Sequence, residues 1–309
     1  MQVFAEGTYP VDDSRAAVTV GVYDGVHLGH RHVLAQLRSL AEARGLQTVV
    51  VTFDPHPAAV VAPERAPLSL CSFERRLELL AATGIDRCVV VGFDPARSSQ
   101  DPAAFVQAVL VDELRAAAVV VGENFRFGHR RAGDVGLLRD LSAAGGYEVV
   151  PVALDAADGE PISSTRIRGL LAAGDVAHAA RLLGRPHELE GTVVRGDGRG
   201  RVIGFPTANL SVAAGFCVPE VGIYAGTWTR GTGRRYPAAI SVGRRPTFYE
   251  DADVLVEAHL VDFEGSLYEE WGRLEFVSRL RGEEKYDSVE ALAAQIRLDV
   301  DATRRLVAP

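Results

Sequence analysis

The chain has 309 residues, of which 47% are hydrophobic and 24% charged, and a net charge of −8. That is long enough for two globular domains with their own cores, and the acidic balance excludes a general nucleic-acid binder, which needs a basic face. Lys285 is the one lysine among 33 basic residues, so there is no Walker A loop, which needs Gly-Lys-Ser/Thr. Phosphate bound here is held by Arg, His, backbone N–H or metal.

Nearly unbroken apolar runs recur at 16–20 (AAVTV), 46–53 (LQTVVVTF), 87–93 (RCVVVGF), 116–122 (AAAVVVG) and 147–154 (YEVVPVAL). Strands buried on both faces of a parallel sheet read this way. Helical stretches at 30–44, 72–83, 101–114 and 134–143 separate them. The alternation predicts a doubly wound α/β domain, with ligand beyond the carboxyl ends of the strands. The segment 165–184 reads as two short helices, and Gly184-Arg185-Pro186 as a boundary, giving domains 1–184 and 185–309. Beyond it the texture is strand-like: HELEGTVVRG, GIYAGTWTRG, RYPAAISVG, DVLVEAHLVDF and GRLEFVSRLR, with helix returning at 288–306. This predicts a small antiparallel β-barrel with a C-terminal helix.

Cys71, Cys88 and Cys217 have no CxxC spacing, which favours a reducing compartment over a disulfide framework or a zinc site. The N-terminus lacks the basic-then-apolar order of a signal peptide, and no apolar run reaches the ~18–20 residues of a membrane helix. A cytoplasmic protein with no membrane partner is expected.

Two segments stand out chemically. GVYDGVHLGH at 21–30 lies between the first strand and the first helix, with Gly21, Asp24, Gly25, His27 and His30 in a turn. Free backbone N–H groups and the helix dipole make such a turn an anion site. ISSTRIR at 162–168 offers Ser163, Ser164 and Thr165 at a helix start, then Arg168. Those hydroxyls can cap the helix or grip a triphosphate. GENFRFG at 122–128 adds Asn124 and Phe127, suited to a planar ring. In the barrel half, GDGRGRVIGFPTANL (196–210) has glycines at 198, 200 and 204, then Pro206, Thr207 and Asn209. The glycine loop can wrap a phosphate chain, and Thr207 and Asn209, two apart in an extended segment, can share one hard cation such as Mg²⁺. Glu257 interrupts an apolar alternation: it is either a solvated edge residue or, near the barrel mouth, a base for an alcohol.

GVYDGVHLGH, TFDPHP (52–57), GENFRFG and ISSTRIR resemble the motifs of the FMN adenylyltransferase module of bacterial bifunctional riboflavin kinase/FAD synthetases, which belongs to the Rossmann-like HxGH nucleotidyltransferases. The resemblance implies that His27 and His30 meet the ATP phosphates and that Ser164, Thr165 and Arg168 form the opposite wall. It places Phe53, Pro55, Pro57, Asn124 and Phe127 on the flavin side. Tyr23 stands where the family usually has Phe. GFPTANL, GIYAG (222–226), PTF (246–248), VEAHLVDF (256–263) and LRGEEKYDS (280–288) resemble the riboflavin kinase module. That resemblance gives Thr207 and Asn209 to Mg²⁺ and the ATP phosphates, makes Glu257 the base for the ribityl 5′-hydroxyl, and puts Arg281 near the flavin. Departures are Arg244, Arg245, Tyr286 and the closeness of His259 to the base.

The implied activity is phosphorylation of riboflavin to FMN in the C-terminal domain and adenylylation of FMN to FAD in the N-terminal one, both with ATP and Mg²⁺. FMN would leave one site before entering the other, and a transient homo-oligomer would shorten that path. The rivals are a chain active in one step alone and a flavin sensor without chemistry, which has no use for a base at Glu257.

Overall fold

In a computed structural model that describes residues 1–10, 14–244 and 254–307, the first unit, Met1–Pro67 with Phe73–Ser163, is built on a parallel sheet. Its strands are β1 (Gln2–Ala5), β2 (Ala16–Val20), β3 (Gln47–Asp54), β4 (Arg87–Gly92), β5 (Ala116–Gly122) and β6 (Glu148–Val152), in the order β1-β4-β3-β2-β5-β6. β2 to β6 are the five apolar runs. β1 is an additional edge strand, mostly exposed, whose residues carry no burial pattern to read. The order reverses between β2 and β5, so their carboxyl ends diverge into the crevice where such sheets bind ligands.

The core is β-branched. Val18, Val49, Val51, Val89 and Val119 are fully buried, and each is worth about 1.5–3 kcal/mol relative to exposure. Helix α1 (Leu28–Arg44) turns Leu34, Leu37 and Ala41, spaced three and four apart, onto the sheet. Helices α2 (Phe73–Ala81) and α3 (Val135–Gly145) fall where expected. The helix expected at 101–114 is one α-turn, Pro102–Phe105, that widens into a π-helical stretch, Val106–Glu113.

The second unit comprises Leu68–Ser72 and Ser164–Pro309. Helices α4 (Ser164–Ala172) and α5 (Val176–Leu183) group with it by packing, ahead of the Gly184 boundary read from the sequence. Strands β7 (His187–Val194), β8 (Ala208–Val212), β9 (Gly222–Arg230), β10 (Arg235–Arg244), β11 (Val254–Leu260) and β12 (Trp271–Arg281) close an antiparallel barrel in the order β7-β8-β11-β10-β9-β12. β8 is the strand that the sequence pattern left as merely extended. Tyr236, Ala238, Ile240 and Val242 alternate inward along β10, as Val256, Ala258 and Leu260 do along β11. Helix α6 (Val289–Leu306), capped by the Ser288 hydroxyl, packs on β9, β10 and β12. Arg245 and the PTF segment at 246–248 lie outside the described residues. Among the described residues no helix is long and apolar enough to cross a membrane.

His187 is buried in this barrel. Its Nε2–H donates to the Cys217 carbonyl at 2.7 Å and its Nδ1 has no partner. Desolvation pushes its pKa down to about 4. An unfolded histidine titrates near 6.5, so acid protonates the unfolded chain first. Barrel stability therefore falls between pH ~6.5 and ~4, by roughly 3 kcal/mol, and His187 adds no pH dependence above that window. Both tryptophans of the chain, Trp228 and Trp271, lie in the barrel, so their fluorescence reads its unfolding. His187→Gln should flatten the acid limb of the urea midpoint. An unchanged limb would show that other groups cause it.

Candidate active sites

The turn after β2 is held in unusual backbone geometry. Tyr23 (φ 56), Gly25 (φ 76) and Val26 (φ 40) are all left-handed, and a buried β-branched residue there is strained. The Tyr23 ring folds back over Gly21, where a Cβ would sit 2.9 Å from the ring, and its hydroxyl bonds Thr19 at 2.7 Å. Asp24 is buried within the turn. The strain delivers His27 to the N-cap of α1, where its Nδ1 accepts the His30 backbone N–H at 3.2 Å. A neutral His27 therefore carries its proton on Nε2. The His30 ring stacks on His27 with centroids 3.6 Å apart and takes the Tyr23 edge at 5.1 Å. His30 Nδ1 is buried without a partner. Burial, and secondarily the neighbouring His27, hold the His30 pKa well below the ordinary value. At neutral pH His30 is thus an uncharged ring, and an arriving anion would raise its proton affinity.

The serine-rich segment approaches this turn within the first unit: a Cβ on Gly29 would meet the Ile162 carbonyl at 3.1 Å. Ser163 follows directly. Ser164, Thr165 and Arg168 start α4 in the second unit, where Arg168 Nε donates to the Leu68 carbonyl at 2.6 Å.

The residues expected on the flavin side flank the same sheet edge. Phe53 ends β3 and meets Phe93 edge-on at 5.8 Å and Phe105 at 6.3 Å. Phe105 in turn touches Phe127, which stacks with Phe125 at 5.3 Å. Phe127 is buried in the domain core and Phe53 is half-buried, so Phe53 is the more accessible ring. Pro55 is exposed, Pro57 opens a short helix capped by His56, and Asn124 sits exposed in the 122–125 turn.

One buried side chain beneath this edge escaped the sequence reading. Arg76 of α2 donates to the carbonyls of Val22 and Phe53, each at 2.9 Å. It sits three residues before Leu79 and four before Leu80, both buried, so helical period alone marks it as inward-facing.

In the barrel, the alternation that sends Val256 and Ala258 inward sends Leu255, Glu257 and His259 outward. Ser241 and Asn209 pair with Glu257 in the neighbouring strands. Glu257 thus faces the outer wall rather than the mouth. A cavity of about 660 Å³ lies there, within the range of small-molecule sites. It gathers Thr207, Asn209, Glu257 and Arg281 with Gly198 and Gly200, and helix α6 supplies a further wall. Thr207 Oγ1 donates to Glu257 Oε1 at 3.3 Å. Gly196 lies so close to Asn209 that a Cβ would come within 2.4 Å of its amide. Gly204 closes the glycine turn by donating to the Arg201 carbonyl, and His259 Nδ1–H donates to the Pro206 carbonyl at 2.9 Å.

Arg281 is committed to the protein. Its Nε and one terminal nitrogen grip Asp299 of α6 at 3.1 and 2.8 Å, and the other terminal nitrogen donates to the Gly282 carbonyl. The Asp299 hydrogen bonds, against burial, raise the Arg281 pKa further. Tyr286 lies under the guanidinium at 5.8 Å. Asp299 was not legible beforehand, because nothing in LDVDATRRL marks one acid over the other. Arg244 is exposed at the end of β10.

A doubly wound domain with a histidine-capped helix, joined to a closed barrel with a carboxylate beside two oxygen donors, matches two enzyme classes. Residues 10–166 match the FAD synthetase family and residues 183–307 the riboflavin kinase family. The chain is 37% identical to the bifunctional riboflavin kinase/FMN adenylyltransferase of Listeria monocytogenes, over 96% of this chain and 94% of that one. The Pseudomonas fluorescens protein of the same description is 38% identical, covering 94% of this chain and 93% of its own. A crystal structure described as a macrolide-efflux protein from Streptococcus pneumoniae superposes with a TM-score of 0.90 at 28% identity, covering 99% and 100% of the two chains. The chain belongs to the bifunctional riboflavin kinase/FMN adenylyltransferase family.

The Arg281–Asp299 pair is mostly buried, with side chains 16% and 7% exposed. Asp299→Asn leaves the guanidinium without its counter-charge and should cost the barrel about 3 kcal/mol. Urea unfolding followed by tryptophan fluorescence measures this, and a loss under about 0.5 kcal/mol would mean that solvent already screens the pair.

Proposed function

We propose that Glu257 is the general base of riboflavin phosphorylation and that His27 and His30 serve adenylyl transfer. Within the family's two-step route from riboflavin through FMN to FAD, the barrel (185–309) carries the kinase step and the first domain (1–184) the adenylyl transfer. The observation that carries the kinase reading is Thr207, Asn209 and Glu257 side by side on one outer face, inside one cavity.

Glu257 accepts the proton of the ribityl 5′-hydroxyl as that oxygen attacks the γ-phosphorus of ATP. The new O–P bond forms as the bond to ADP breaks. The glycine loop, including Gly198, Gly200 and Gly204, wraps the phosphates with backbone N–H groups. Thr207 and Asn209 fit a hard divalent cation: the Thr207 hydroxyl donates to Glu257, which leaves its lone pairs free, and Asn209 offers a second oxygen. Mg²⁺ bound there would neutralise phosphate charge. Arg281 lines the flavin end and shapes it through Asp299.

In the first domain an FMN phosphate oxygen attacks the α-phosphorus of ATP and pyrophosphate leaves, with no covalent enzyme intermediate. The chain's task is alignment and charge stabilisation. His27 presents Nε2–H, since its Nδ1 is occupied by the cap, and His30 and the α1 N-terminus add donors. Ser163, Ser164, Thr165 and Arg168 hold the nucleotide from their segment, and Phe53, Pro55, Pro57, Asn124 and Phe127 line the flavin side. A cytoplasmic location is supported by three buried cysteines, none of them in a disulfide.

Glu257→Gln should lower FMN formation by ~10²–10⁴-fold and leave FMN-to-FAD conversion intact. His30→Ala should do the converse, slowing FAD formation by ~10²-fold or more. Chromatography of flavins formed from riboflavin, or from FMN, with MgATP separates the two. Survival of phosphorylation in Glu257→Gln rules out that base. Asn209→Ala should raise the Mg²⁺ concentration needed for half-maximal phosphorylation, and an unshifted requirement removes Asn209 from the metal site.

A further inference from the structure

Strands β2 and β3 stay in register from Ala16–Gln47 to Val20–Val51, and the Gly21 N–H adds a last bond to the Val51 carbonyl. Beyond that point they part. β2 gives way to the histidine turn, while β3 runs on with β4 to Asp54. The Val22 and Phe53 carbonyls stand on the two sides of this split. The Arg76 guanidinium spans it, with 2.9 Å to each oxygen, and the Thr52 hydroxyl adds a bond to Val22 at 3.1 Å.

Arg76 is 6% exposed and its Nε has no partner. Its charge is met by the Phe73 ring at 5.0 Å and by two neutral carbonyls. For stability alone this is a poor arrangement, since buried charges cost desolvation and apolar replacements of similar volume are often neutral or better. What a planar fork does better than an apolar side chain is fix two acceptors at one separation.

We propose that Arg76 is a positioning residue for adenylyl transfer, clamping the strand end that carries the histidine turn to the strand end that carries Phe53, Pro55 and Pro57. The clamp sets the separation of the nucleotide and flavin subsites without touching either substrate. The inference rests on the reading that His27 and His30 serve ATP while Phe53 and the two prolines serve FMN. Its energetic handle is alignment: an error near 1 Å between reactants costs on the order of 10²-fold in rate.

The test uses the full chain and the variants Arg76→Lys and Arg76→Met, with His30→Ala as reference. Lysine keeps the charge and reaches one carbonyl; methionine keeps neither. Both should lower kcat for FMN adenylylation, by ~10-fold or more for lysine and ~10²-fold for methionine. Dissociation constants for MgATP alone and FMN alone should stay within about threefold, and riboflavin phosphorylation should be unchanged. A kcat within threefold of the parent in Arg76→Lys and Arg76→Met overturns the proposal. So does a loss of kcat matched by equal loss of both affinities, the mark of a structural role. If Arg76→Met does not fold, Arg76→Lys decides by the same criteria. If His30→Ala itself leaves adenylylation intact, the assignment of the site has failed; if His30→Ala is inactive while both Arg76 variants are normal, the clamp alone has failed.

Discussion

Helix α1 begins on an imidazole where most helices begin on Ser, Thr, Asp or Asn. The first turn of any helix has backbone donors without partners, and here His27 Nδ1 takes one of them. That single bond fixes the tautomer of a neutral His27, turns Nε2 away from the helix and presents a flat ring for His30 to stack on. It also explains the strain ahead of it. Tyr23, Gly25 and Val26 accept left-handed backbone so that the chain arrives at the cap in the right direction. The fully buried strands on either side are rigid enough to hold that strain, because their valines interlock across both faces of the sheet.

The barrel reaches a similar end by simpler means. Strict alternation along β11 sends Val256, Ala258 and Leu260 into the interior and leaves Glu257 on the outer wall. The carboxylate is half-buried there, and the glycine loop and α6 enclose it in a cavity. The Arg281–Asp299 pair ties the end of β12 to α6 and so fixes one wall of that cavity. In both units the candidate site groups sit where a regular element ends or turns its outer face, and a buried or half-buried arginine lies beside them.

The two arginines differ in how their charge is met. Arg281 has a carboxylate held bidentately, a pairing that is strong and directional. Arg76 has carbonyls and a ring. The first arrangement ties a strand to a helix; the second bridges the Val22 and Phe53 carbonyls at one separation.

The sequence by itself determined a good deal. Five nearly unbroken apolar runs sufficed for a parallel sheet, because a strand buried on both faces has no polar side to show; the last of them, β6, is an edge strand and only partly buried. The HxGH turn and the GFPTAN segment were legible as polar, glycine-rich breaks between regular runs, and Glu257 as a carboxylate on the outward face of an alternating strand. The tertiary structure decided the rest. Edge strand β1 and barrel strand β8 have little apolar pattern, since they are defined by their hydrogen-bonded neighbours. Alternation put Glu257 on the face opposite Val256 and Ala258, and barrel closure made that face the outer wall. Arg281 found Asp299, eighteen residues on, and Arg76 found two carbonyls, one in the turn after β2 and one near the end of β3. Backbone acceptors have no side-chain identity, so no inspection of residue types reveals them. Only the folded path of the chain brings the donor to them.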